Sequence, residues 1–312
     1  AIEYYEQALA ISREIGDRMG EGADLGNLGL AYADLGDAKK AIEYHEQALA
    51  ISREIGDRMG EGADLGNLGL AYAALGDARK AIGYYEQALA IAREIGHRMG
   101  EGNQLGNLGL AYADLGDARK AIEYHEQALA IAREIGHRMG EGADLGNLGL
   151  AYADLSDARK AIEYHDQALA IAREIGDRRN ESEFLCNLGK AYLDLKETEK
   201  TIEYATQSLA IAQKIEYKKS EAESFCTLGK ALNSKGDLLQ ALDHCDQALK
   251  ISKDIEYRKG QADALFAKSL ALDGLDRRTE AVACARQALD IFEQIESPRA
   301  STMRELLAEW RR

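Results

Sequence analysis

The chain has 312 residues, with one proline, thirty glycines, four cysteines and a formal charge of −15 at neutral pH. Such an acidic surface repels nucleic acid and anionic membranes and favours basic partners. No apolar run approaches the ~20 residues that cross a bilayer, no signal-peptide pattern is visible, and Cys186, Cys226, Cys245 and Cys284 lack CxxC spacing, which predicts reduced thiols in the cytoplasm.

Heavy use of Ala, Leu, Glu, Lys and Arg predicts helix throughout. Residues 1–15 form the first helix. Gly16-Asp17 closes it with a C-terminal glycine and opens the next with an N-cap aspartate. In that second helix Leu25, Leu28, Tyr32 and Leu35 fall at helical spacing on one face. Gly36-Asp37 repeats the junction, and the third helix places Ala41, Ile42, His45, Ala48, Leu49 and Ile55 in the same manner. The pattern then restarts. Residues 41–80 differ from 1–40 only at Tyr5/His45, Asp34/Ala74 and Lys39/Arg79, and Leu28-Gly29 recurs every forty residues through Leu228-Gly229, weakening to Lys268-Ser269.

One unit cannot bury its apolar face alone, so stability must come from stacking on neighbours. The expected fold is an all-α solenoid in a single domain over 1–312. It comprises a lone second helix over 1–16, seven helix pairs over 17–296 and a capping helix over 297–312. The cap follows from Ser297-Pro298, with proline in the first turn, and from the apolar stripe of Met303, Leu306, Leu307 and Trp310. At the opposite end, a face carrying Ile2, Leu9 and Ile15 is expected to be uncovered and to support self-association. That unmatched helix points to a fragment or an engineered excision, and the near-identity of the early repeats to recent duplication or consensus construction.

Leu25-x-x-Leu28-Gly29-x-x-Tyr32, followed by Ala41-x-x-x-His45, resembles the tetratricopeptide repeat pattern W-x₂-L-G-x₂-Y…A-x₃-F, with Leu for Trp and His for Phe. The forty-residue form, with its recurring "GDR", "NLG" and "AIEYHEQAL", is similar to the Pins/LGN group of cell-polarity adaptors and to long arrays in bacterial signalling proteins. It reads "NLGL" where the adaptors usually read "NLGN". The resemblance covers nearly the whole chain and implies a right-handed superhelix whose first helices line a concave, peptide-binding groove. Chaperone-binding members place Lys or Arg at the positions of Ala23 and Asn27. This chain has no such clamp for an acidic C-terminal tail.

Ala23, Asn27, Leu30 and Asp34 share one stripe of the first helix. The asparagine recurs as Asn67, Asn107, Asn147 and Asn187. By the resemblance, this ladder contacts the backbone of an extended peptide, which suits a side chain that both donates and accepts. The next position runs Leu30, Leu70, Leu110 and Leu150, then Lys190 and Lys230; the last runs Asp34, Asp114, Asp154 and Asp194. Facing a groove, the aspartates would favour Arg or Lys on the guest, and the change from leucine to lysine would give the guest a direction.

Catalytic chemistry is not expected. Gly20-Glu21-Gly22 with Gly26 and Gly29 imitates a phosphate loop but lacks a preceding strand and the right spacing, and it recurs from repeat to repeat. His45, His125 and His165 occupy the aromatic packing position, too far apart to share a zinc ion. His97 and His137 replace junction aspartates at the surface. No nucleophile, base and orienting group can be named together, and no cofactor or metal is expected. The predicted function is a protein- or peptide-binding scaffold. The alternatives are the sensor or regulatory segment of a multidomain signalling enzyme, and an engineered or freshly duplicated array with no evolved ligand.

Overall fold

A computed structural model describes residues 1–310, and among them every regular element is an α-helix. The chain divides into two compact units, Ala1–Leu155 and Ser156–Arg312. The first holds α1 (Ile2–Ile15), α2 (Arg18–Asp34), α3 (Ala38–Ile55), α4 (Arg58–Ala74), α5 (Ala78–Glu94), α6 (Arg98–Asp114), α7 (Ala118–Glu134) and α8 (Arg138–Asp154). The second holds α9 (Ala158–Ile175), α10 (Arg178–Asp194), α11 (Thr198–Lys214), α12 (Lys218–Lys235), α13 (Leu238–Asp254), α14 (Arg258–Gly274), α15 (Arg278–Gln294) and α16 (Arg299–Glu309). Within each unit every helix packs against the next along the chain. First helices of successive repeats also touch, as α2 touches α4, α6 touches α8, and α12 touches both α10 and α14.

The helix boundaries follow from the junction chemistry. Asp17 accepts a hydrogen bond from the Gly20 backbone N–H at 2.9 Å, and Asp37 one from Lys40 N–H at 3.1 Å, satisfying donors that a helix start leaves open. Gly16 and Gly36 adopt φ of 72° and 78°, the left-handed turn that ends a helix most easily at glycine. Later repeats put other residues there, among them Glu216 at φ 56° and Glu256 at φ 55°. Left-handed backbone costs an L-residue roughly 1–2 kcal/mol. Glu216→Gly and Glu256→Gly are therefore each expected to stabilise the protein by about 1 kcal/mol, read as a higher midpoint in urea unfolding.

Leu25 and Leu28, and Leu65 and Leu68 of the next repeat, pack against the small side chains and rings of the second helices. The Leu-Gly marker has a steric reason. A Cβ at Gly29 would stand 2.6 Å from the His45 ring, and one at Gly109 would stand 2.5 Å from His125 Nε2. Gly29, Gly69 and Gly109 are sockets for an aromatic ring of the following helix, whereas Gly189 and Gly229 face Ala205 and Cys245. His45, His125 and His165 are accordingly buried, as packing residues. Opposite Ala285 the marker position carries Ser269, and both are buried. Outside this layer Tyr32 stacks on Tyr44, and Tyr72 on Tyr84, with ring centroids 5.3 Å apart.

Three expectations about faces are corrected. Leu35 and Ile55 stand at helix ends and are exposed, Leu35 at 70 %, because each lies where its helix stops and no neighbour continues over it. Leu9 is buried with Leu25, Leu28, Ala48 and Ile51, and Ile2 packs on the same cluster; the open side of α1 carries Tyr4, Ile11 and Ile15 instead. At the other end, α16 buries Met303 and Leu307 against Phe292 and Ile291, and the Arg278 guanidinium lies 5.1 Å from the Trp310 ring centre. The last two residues of the expected cap lie outside the described residues.

Candidate functional site

In unit 1 the first helices carry so many glycines that clefts open between them and the second helices. One of them, of about 470 Å³, is walled by Asn67 and Leu70 of α4, Asn103, Gln104, Asn107 and Leu110 of α6, and Asn147 of α8. Its floor is apolar, made by Ala128, Ile131, Ala132 and Ile135 of the neighbouring second helix and its end. Leu70 and Leu110 stay half-exposed at 50 % and 48 %, an arrangement that leaves aliphatic surface in water beside amide groups. Among the described residues, Asn67, Asn107 and Asn147 take part in no intramolecular hydrogen bond that would occupy their amides. Two titratable groups reach the cleft, His137 and Asp144. Burial pushes the Asp144 carboxyl above its ordinary range, opposed by His125, whose Nδ1 lies 3.2 Å from Asp144 Oδ1.

Unit 2 has a smaller cleft of about 160 Å³ and different chemistry. Lys190, Asp194, Thr227, Lys230, Tyr257, Asp263 and Arg299 contribute to it. Lys190 Nζ reaches Glu223 Oε2 at 2.5 Å, and the Tyr257 hydroxyl donates to Glu223 Oε1 at 2.7 Å. Burial alone would raise the Glu223 carboxyl, but Lys190 and Tyr257 hold it down to about 2. Arg299 pairs with Asp263. Lys190 and Lys230, which follow the leucines along the stripe, are thus set among carboxylates, and this cleft is mixed in charge.

The expected site residues therefore separate. The structure gathers Asn67, Asn107, Asn147, Leu70 and Leu110 in one cleft, and Lys190, Lys230 and Asp194 in the other. Asn27, Leu30, Leu150, Asp114 and Asp154 line neither, although Leu30 and Leu150 are half-exposed and Asp114 and Asp154 are exposed. Asn187 accepts a hydrogen bond from Lys190 at 3.3 Å, and Asp34 lies with Ala1, Ile2 and Tyr4 at the start of α1. Sequence reasoning assigned no role to Asn103, Gln104 or Tyr257. The signal for the first two was present: residues 103–104 read Asn-Gln where 23–24, 63–64 and 143–144 read Ala-Asp.

A family model described as tetratricopeptide repeat matches residues 1–54, 62–134, 141–214 and 220–294. The chain belongs to the tetratricopeptide repeat family. The first helices that wall both clefts are thus the first helices of tetratricopeptide repeats. Curated protein sequences return no match. Among solved structures, the apo form of RapI is 15 % identical, with a TM-score of 0.76, covering 88 % of this chain and 99 % of its own. A Rap protein complexed with competence and sporulation factor is 13 % identical, with a TM-score of 0.61 and coverage of 100 % and 98 %. A signal transduction ATPase with a tetratricopeptide repeat sensor, from Pyrococcus horikoshii, is 17 % identical, with a TM-score of 0.68, covering 99 % of this chain and 48 % of its own. At these identities the likeness is one of fold. Among the described residues, no helix is long and apolar enough to cross a membrane.

Proposed function

We propose that this tetratricopeptide repeat chain is a non-catalytic scaffold that holds an extended segment of another protein against its first helices. The observation that carries the reading is the unit 1 cleft, where amides without internal partners stand beside exposed leucines over an apolar floor. A main chain needs donors and acceptors in alternation, and its side chains need apolar depressions. This cleft supplies both. Exposed Asp114 and Asp154, within an acidic chain, favour guests with Arg or Lys flanking the held segment. The Rap protein bound to competence and sporulation factor supports the reading by likeness of fold.

Replacing Asn67, Asn107 and Asn147 together by Ala is expected to leave helicity intact and to strip bound proteins from the chain in a pull-down read by mass spectrometry. Full retention of every partner by the triple variant sinks the groove. A second reading, that the chain is the sensor segment of a larger signalling protein, is favoured by the Pyrococcus ATPase, of which this chain matches 48 %. An adjoining catalytic domain in the full-length gene would decide for it.

Two further assignments belong to this reading. Buried, unpaired Cys186, Cys226 and Cys245 suit the cytoplasm. The open side of α1, with Tyr4 at 76 %, Ile11 at 57 % and Ile15 at 69 % exposure, is proposed to pack against a second copy. Light scattering over a range of protein concentrations should then show a rising mass that Ile11→Glu/Ile15→Glu abolishes; a constant monomer mass in the wild type removes the proposal.

A further inference from the structure

In unit 1 the position before Leu25 is an aspartate in three of the four repeats, and each of these aspartates meets a polar atom on a second helix. Asp24 accepts from Ser12 Oγ and Asp64 from Ser52 Oγ, both at 2.8 Å, while Asp144 meets His125 Nδ1. The third repeat in chain order breaks the rule, and of these four it alone lacks both the serine and the histidine. Gln104 stands for the aspartate, Ala92 for the serine and Tyr85 for the histidine. The Gln104 carbonyl oxygen is buried and has no partner. Its amide nitrogen lies over Gly66 of the preceding first helix, 2.9 Å from where a Cβ would stand, in space that only a glycine leaves. Beside it, Asn103 is exposed where the other three repeats carry alanine. Both residues line the 470 Å³ cleft of unit 1.

This departure removes a carboxylate and installs two neutral amides at one point of an otherwise repetitive wall. An unpartnered buried amide oxygen is destabilising, and nothing in the protein's own packing relieves it. An N–H donor arriving through the cleft would. Resting on the peptide-groove reading above, we propose that Asn103 and Gln104 fix the register of the guest. They grip the backbone N–H and C=O of one residue of an uncharged, extended segment, which point to the same side of the strand, with the Asn103 amide donating to the guest carbonyl and the Gln104 oxygen accepting the guest N–H. Successive side chains of an extended strand point to opposite sides, so the residue at the gripped position sends one aliphatic side chain onto Ile131 and Ile135, and its neighbours turn away. The cleft volume lies in the range of specific ligand sites, roughly 300–1,000 Å³. An acidic residue is excluded at the gripped position by the apolar floor.

The test uses a phage-displayed library of unconstrained random peptides selected on the whole chain, followed by titration calorimetry of the enriched peptides. Wild type is compared with Asn103→Ala/Gln104→Met and with the triple asparagine variant. Methionine keeps the volume over Gly66 and removes the orphaned amide, so the double variant should melt no lower than wild type yet bind at least tenfold more weakly. Enriched peptides should share an aliphatic residue at one position with uncharged neighbours. Unchanged affinity in the double variant, with loss in the triple variant, overturns the register and leaves the groove standing. A lower melting temperature with unchanged affinity assigns the pair to packing and overturns the proposal as well. Should no peptide be enriched, or should the triple variant also bind as wild type, the groove reading itself falls, and the register with it.

Discussion

Gly69→Ala is expected to destabilise the protein by about 3 kcal/mol, the upper end of what forcing extra carbon into a packed core costs. A Cβ there would stand 2.5 Å from Tyr85 Cδ1, and the ring is buried at 2 % exposure with no room to retreat. The same substitution at Gly106 is the control. Its Cβ would meet Asp144 Oδ1 at 3.5 Å, an ordinary contact, and alanine favours a helix interior over glycine by up to about 1 kcal/mol. Urea unfolding should therefore move in opposite directions for two Gly→Ala changes on neighbouring first helices. A Gly69→Ala protein as stable as wild type would show that the Leu-Gly marker is not a ring socket.

The second large effect is acid lability. Burial holds the imidazoles of His45 and His165 neutral, with their pKa pushed down to about 4. In the unfolded chain a histidine takes up its proton near 6.5. Below that pH the unfolded state binds protons that the folded state refuses, so stability is complete above pH 6.5 and is lost as pH falls through 4. Each histidine accounts for about 3 kcal/mol of that loss, at 1.36 kcal/mol per pKa unit. Asp64 runs the other way. Burial raises its carboxyl to about 6, so its contribution is present at low pH and is lost as pH rises through 6. The histidine effect is therefore cleanest in an Asp64→Asn background. There, His45→Tyr should match its parent at pH 8 and exceed it by about 3 kcal/mol at pH 4. Tyr85 already fills the equivalent place in another repeat, so the ring fits. Equal stability of the two proteins at pH 4 would mean that His45 protonates without unfolding.

Much of this was readable from residues alone, and the reason is physical range. The Gly-Asp junctions act over three or four residues, so Asp17 and Asp37 cap their helices as their neighbours in sequence require. The forty-residue repeat forces each apolar face onto the next, which is why Leu25, Leu28, Ala41 and Ala48 are buried as their spacing demands. Face assignments failed at helix ends. Leu35 has the right period but stands where its helix stops, and whether anything covers such a residue depends on the neighbouring turn.

The asparagine ladder shows both halves. Its forty-residue period was visible, but a period assigns the same role to Asn27, Asn67, Asn107, Asn147 and Asn187. Only the folded chain separates the three that share a cleft from Asn187, which is engaged by Lys190. The departure at Asn103-Gln104 was equally plain to read and could not be interpreted, since its meaning lies in what Ala92, Tyr85 and Gly66 fail to offer across the helix interface. Helix type, helix ends and repeat length were thus settled by local sequence, because they rest on contacts a few residues apart. The depth of the clefts, the pairing of Lys190 with Glu223 and the buried Gln104 amide oxygen left without a partner were decided by tertiary structure, because they depend on side chains that meet from different repeats.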